Sequence, residues 1–341
     1  MALSANGGGD QAPASTGLDW TVATLSAMFV GGLYLDGWAH AHGQVDQSFF
    51  TPWHAVFYAG YAATASVLVA AVVRHHARDY EWRWAVPPGY GLSLLGVLVF
   101  ALAGCGDMIW HILFGIEAGV QALLSPTHLT LALGMGLIVS GPLRAAWRQP
   151  APASGWAEQA PVVLALTSTL SVFTLFTLYA HPIVQPAAGA GHPYAGSEAM
   201  GVASILVQTG LLMGTILLAV RCGTPPAGTL TVMVALNAAG MGFLNIHGDY
   251  PLALVMAAGT AGVLADLLRA LLRPTDDRPQ TWRLFAFAVP AVFYLCYFLA
   301  LALTEGVAWS VHVLTGAVVL AGIASWLLSY LLLPPRSLER R

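Results

Sequence analysis

The sequence predicts an all-α, polytopic integral membrane helix bundle, and three observations predict it. Of 341 residues, 57% are hydrophobic and only 9% are charged, against about 25% charged in a soluble globular protein. The apolar residues fall in long runs, and a helix needs about 20 of them to cross the hydrocarbon. The arginines fall only in alternate connections between those runs.

Ten spans are expected in chain order. Residues 1–19 are acidic and rich in Gly, Ala and Ser, without the basic stretch of a signal peptide. They are read as a disordered tail, so the first span, 20–41, is retained. Pro52 stands just before the second span, 53–73, and Pro126 just before the fourth, 127–147. Proline suits a helix start, where its missing N–H has no partner to lose. The third span is 89–114, an apolar run rich in Leu, Val and Gly. The fifth, 160–181, and the sixth, 199–220, are separated by a loop rich in Gly, Ala and Pro. The seventh, 228–247, and the eighth, 251–272, meet at Pro251. The ninth is 283–303, the tenth 307–333, and residues 335–341 form a tail. Small residues such as Gly31-Gly32 and Ala238-Ala239-Gly240 favour close helix packing in lipid.

Charge tests this order. Arg74, Arg78 and Arg83 lie between the second and third spans, and Arg144 and Arg148 close the fourth. Arg221 follows the sixth, Arg269, Arg273, Arg278 and Arg283 surround the eight–nine connection, and Arg336, Arg340 and Arg341 form the tail. The connections 42–52, 115–126, 182–198, 248–250 and 304–306 contain no Arg. The positive-inside rule then puts both termini in the cytoplasm, in the cell's inner (plasma) membrane. A net charge of −3 with scattered basic residues excludes nucleic acid as a partner. The three cysteines are far apart and form no CxxC motif, so a disulfide framework or thiolate metal site is not expected.

Two stretches carry one pattern of metal-ligand side chains. The first is Asp36-x3-His40, then Asp46, then Thr51-Pro52-x-His54. The second is Asp107-x3-His111, then Glu117, then Ser125-Pro126-x-His128. Each unit sits where one span ends and the next begins. This divides the chain into a four-helix half with the metal ligands, 20–148, and a six-helix half, 149–334. Ionisable groups at membrane depth are costly, so eight of them in register suggest a function. Asp-x3-His puts both side chains on one helical face, one turn apart. The closing His is the second or third residue of the next helix, level with the first pair. Each unit therefore offers a carboxylate and two imidazoles to a metal on the outer face. Imidazole-rich sites suit copper, with zinc or iron as alternatives. The plain alternative is a pair of structural polar networks that close helix ends.

At these residues the chain resembles the third of the three subunits of the copper membrane monooxygenases, the particulate methane and ammonia monooxygenases. That family carries Asp-x3-His, an acid six residues on, then Phe-Thr-Pro-x-His and shortly Phe-Tyr. Here the run is Asp36, His40, Asp46, Phe50-Thr51-Pro52-Trp53-His54, then Phe57-Tyr58, with a loop one residue longer. The family's second motif is Asn-x3-His, a Glu, then Pro-x-His. Here it reads Asp107, Trp110-His111, Glu117, Pro126-Thr127-His128, with Asp in place of Asn and a longer gap between the histidines. The resemblance covers residues 33–140, and the rest of the chain falls outside it. It implies that Asp36, His40 and His54 ligate one copper, and Asp107, His111 and His128 a second. It further implies oxidation of a small apolar substrate by oxygen with a quinol reductant, in company with partner subunits or further copies of the chain. Asp46 and Glu117 are then the proton-handling catalytic groups.

His42, His247, Asp249 and His312 are candidate additional ligands. Asn245-x-His247-x-Asp249 ends the seventh span, and His312 is read as lying about two turns into the tenth. Helix capping is their plain alternative. The functional expectation is a copper-dependent monooxygenase. The alternative is a copper or zinc storage or assembly protein without catalysis. Transport is disfavoured, because the inner halves of the spans carry almost no ligands.

Overall fold

The computed structural model describes residues 15–44, 50–115, 119–149, 155–191, 197–221, 223, 225–244 and 251–333. Among these the protein is helical throughout, with one isolated antiparallel bridge, Gly189 to Val307. In order the helices are α1 (Thr16–Ala41), α2 (Pro52–His76), α3 (Gly91–Phe114), α4 (Val120–Leu124), α5 (Pro126–Val139) and α6 (Gly141–Ala146). Then come α7 (Trp156–Phe176), α8 (Glu198–Arg221), α9 (Thr229–Leu244), α10 (Leu252–Leu272), α11 (Pro279–Leu303) and α12 (Val311–Leu332). Eight of them (α1, α2, α3, α7, α8, α10, α11 and α12) are long and apolar enough to cross a membrane. The chain is a multi-pass membrane bundle.

The fourth expected span comes out shorter than the sequence suggests. The fourth is divided at Ser140 into α5, of 14 residues, and α6, of 6. Gly141-Pro142 follows the break, and Pro has no N–H to continue the helical ladder. The seventh, α9, is described over 16 residues from Thr229, and the last part of its expected span, 245–247, lies outside the described residues. The tenth begins at Val311 rather than 307, because Ser310 caps it by accepting the Val313 N–H at 3.4 Å.

Helix α7 is the central column. It packs on α1, α5 and α6 on one side and on α8 and α9 on the other. One continuous apolar core therefore runs through both halves of the chain. Two buried hydroxyls of α7 are satisfied within the helix: Thr167 donates to Val163 O and Thr174 to Leu170 O. In lipid such groups have no water to turn to. At the end of the bundle away from the triads, Arg144 ties α3, α5 and the 89 turn together. It donates to Ser93 Oγ, Leu137 O, Ser140 Oγ and Gly89 O.

Two helical hairpins, α1–α2 and α3–α5, make the first half. Each closes on a glycine. A Cβ on Gly60 would stand 2.7 Å from Phe29 Cα, and one on Gly134 would stand 2.8 Å from Phe100 N. Only glycine lets these backbones approach so closely. The two phenylalanines meet edge to face at 5.1 Å, so the hairpins are joined through their own closing residues. Such aromatic pairs contribute about 0.5–1.5 kcal/mol beyond area burial.

Candidate metal centre

Each hairpin carries its ligands at the same end of the bundle. Asp36 and His40 lie one turn apart near the end of α1, and Asp107 and His111 likewise near the end of α3. His54 and His128 are each the third residue of the next helix, α2 and α5. The Ser/Thr-Pro-x-His motif has a local reason. Thr51 Oγ1 accepts the His54 N–H at 3.1 Å, and Ser125 Oγ accepts that of His128 at 3.4 Å. A hydroxyl cap bonds the third helical N–H, and Pro presets the first helical residue. The motif thereby fixes where the histidine enters the first turn.

The first triad gathers around Asp36 Oδ2. His54 Nε2 is 3.4 Å from it and His40 Nε2 3.9 Å, with the two rings 5.7 Å apart. The other oxygen, Asp36 Oδ1, is buried and has no hydrogen-bond partner among the described residues. In the second triad His111 Nε2 lies 3.4 Å from Asp107 Oδ2, and His128 Nε2 lies 3.5 Å from Asp107 Oδ1. Here the surroundings hold the ligands. Thr127 Oγ1 donates to Asp107 Oδ1 at 2.8 Å, and Ser125 Oγ bonds His128 Nδ1 at 2.6 Å. His111 Nδ1 bonds the Gly115 carbonyl at 3.3 Å.

In both triads the donor atoms lie within 4.8 Å of one another, so both groups could hold a metal ion. Metal–nitrogen and metal–oxygen bonds of about 2.0–2.2 Å put tetrahedral donors roughly 3.3 Å apart. The spacings of 3.4 and 3.5 Å fit that figure, and the 3.9 Å pair needs a small movement of His40. Each carboxylate is buried, and a cation bound between it and its two histidines would balance its charge.

The triads share one cavity of about 50 Å³. Asp36 and His54 line it from one hairpin, and Asp107 and His128 from the other. Its floor is apolar, formed by residues such as Phe57, Leu131, Met135 and Phe176. Tyr58 also lines it, within electrostatic range of both Asp36 and Asp107. His40 is likewise within range of His111 and His128.

The remaining candidates fall elsewhere. His42 is exposed, bonds Trp38 O through Nδ1 at 2.8 Å and stacks on the Trp38 ring. His312 is exposed in the first turn of α12, not two turns in. Neither joins a metal-ligand group among the described residues. Asp46, Glu117, His247 and Asp249 lie outside the described residues.

The motif extends further than its ligands. Phe29 and Phe100 each stand seven residues before the Asp, and Gly60 and Gly134 each six after the closing His. These are the residues that close the two hairpins, and their recurrence is a sequence signal of an internal duplication. Thr127, whose hydroxyl holds Asp107, has Trp53 at the equivalent place.

No protein-family model, curated protein or solved structure matches the chain.

Proposed function

We propose that the two triads hold a pair of copper ions at one cavity, and that the protein uses them with oxygen to oxidise a small apolar substrate. The observation that carries this reading is the shared cavity, to which each triad contributes one carboxylate and one imidazole. Copper is favoured by the donor set, two nitrogens and one oxygen per site without thiolate. When bound, copper would supply one-electron redox chemistry and a coordination position for oxygen.

The residues of the chain do the rest. Asp36 and Asp107 neutralise cationic charge and orient their histidines. Ser125 Oγ and the Gly115 carbonyl fix the ring orientations of His128 and His111. The apolar floor excludes water and admits a guest of one or two heavy atoms. Exposed apolar faces on α2 and α3 border lipid, from which such a substrate would arrive. Asp46 and Glu117, which follow the first histidine of each unit by six residues, are the proposed proton-handling groups. By the Arg distribution this end of the bundle faces out of the cytoplasm. A quinol in the membrane is the proposed reductant.

The test is elemental analysis of the purified protein beside His40→Ala and His111→Ala, followed by oxygen uptake with a quinol. About two copper per chain, with about one lost in each variant, and reductant-dependent oxygen uptake support the proposal. Bound metal without uptake favours storage or assembly. No metal after reconstitution leaves the structural reading.

A further inference from the structure

Behind the metal cavity, on the other side of α7, lies a second chamber of about 30 Å³. Thr174 of α7 faces it, whereas Phe176 of the same helix end faces the metal cavity. Its other polar walls are His181, Gln208, Asn237 and Tyr294. Among the described residues no ionised group lines it.

Most of the polar atoms here already have partners. Tyr294 donates to Ile205 O at 3.1 Å. Thr174 Oγ1 accepts from Asn237 Nδ2 at 2.7 Å and donates to Leu170 O. Gln208 Nε2 donates to Thr177 Oγ1 at 2.9 Å. His181 Nδ1 accepts the Ile183 N–H at 3.3 Å, which fixes the tautomer and leaves Nε2 as the N–H donor. Burial pushes this imidazole down to about 3, so the ring is neutral at physiological pH.

Three groups are left over. Gln208 Oε1 is buried without a partner among the described residues. His181 Nε2–H and Asn237 Oδ1 also have none among those residues. All three side chains are more than nine-tenths buried. A buried acceptor left unsatisfied, as Gln208 Oε1 is, is expensive, and the three side chains line one space.

We propose that this chamber is a binding site for a neutral molecule of one or two heavy atoms that accepts one hydrogen bond and donates two. Water and a small primary amine share that chemistry. The guest accepts from His181 Nε2–H and donates to Gln208 Oε1 and Asn237 Oδ1. The volume is enough for about two waters, since one needs roughly 10–15 Å³ on this measure. A charged guest is disfavoured, because no described residue of the lining would pair with it. A small alcohol fits poorly, because it donates only one bond and strands an acceptor. The site does not depend on metal being bound.

The test is nuclear magnetic resonance of the full chain in detergent micelles with ¹⁵N-labelled histidine, His181 being assigned by loss of its signal in His181→Phe. The expected spectrum has the Nε2–H tautomer and a cross-peak from that proton to water. Gln208→Leu weakens the cross-peak and moves the Nε2–H shift, and serves alone if His181→Phe does not fold. Methylamine titrated at a pH where some of it is neutral gives a saturable shift if the site takes amines, while methanol at equal concentration gives none. A water cross-peak without a methylamine shift assigns the site to water. An Nδ1–H tautomer, or neither a water cross-peak nor a saturable shift, overturns the proposal.

Discussion

The two triads have the same ligands in the same order, yet they are held differently. Asp107 is almost fully buried and receives the Thr127 hydroxyl, and its two histidines are oriented by Ser125 and the Gly115 carbonyl. Asp36 is also buried, but its Oδ1 has no partner among the described residues, and the His40 side chain is 33% exposed. By the contacts between described residues around the two carboxylates, the second triad is closer to a preorganised site and the first closer to a labile one. Outer hydrogen bonds on metal ligands are worth about 10–100-fold in affinity. Part of the difference lies at one position: Thr127 in Ser-Pro-Thr-His, which holds Asp107, stands where Trp53 stands in Thr-Pro-Trp-His.

Four predictions break or sharpen this contrast, the largest first. Asp107→Ala removes the carboxylate that gathers His111 and His128, and it should abolish the tighter metal. Asp36→Ala should remove only the weaker one. A chelator titration followed by elemental analysis reads both, and equal lability of the two ions in the parent protein would break the contrast. Gly134→Ala puts a Cβ 2.8 Å from a backbone nitrogen, and the overpacking should cost about 1–3 kcal/mol. Its thermal midpoint should fall, and because the hairpins meet through Phe29 and Phe100 the first triad should loosen too. An unchanged midpoint would deny the close approach.

Thr127→Val keeps the shape of the side chain but deletes the hydroxyl. Metal affinity at the second triad should fall about 10–100-fold, with the first unchanged. The reverse change, Trp53→Thr, should tighten the first triad by a smaller factor, because it puts a hydroxyl at the position equivalent to Thr127, whose own hydroxyl serves Asp107. Competition with a metal indicator measures each. The smallest effect lies away from the metals. His181 is held far below the unfolded histidine value of about 6.5. Its neutral form stabilises the fold fully above that pH, and the contribution drains away as pH falls toward 3. The thermal midpoint of the parent should drop faster with acid than that of His181→Phe; parallel slopes would contradict it.

The bundle is legible in the sequence because lipid imposes a long apolar run on every full span, as at α3 and α11. What escapes is shorter or local. Helix α4 has five residues, too few to leave a periodic signal. The break at Ser140 depends on Gly141-Pro142, which sits inside a run that otherwise reads as one span. The start of α12 depends on a Ser310 cap, so hydropathy alone places His312 too deep. At the site, the ligand spacing marks six residues that the fold brings into two groups. Their shared cavity is not legible, since it depends on how α1–α2 lies against α3–α5. The Phe29/Phe100 and Gly60/Gly134 repeat is its one sequence trace, but such residues look ordinary in a membrane helix.

The central claim, that two triads form one paired metal centre, is tested most directly by electron paramagnetic resonance of the copper(II)-loaded protein, with spins counted against total copper. The account predicts about two copper per chain with coupled spins, and an isolated, fully counted signal in His111→Ala. One copper per chain, or two that behave as independent spins, would contradict it.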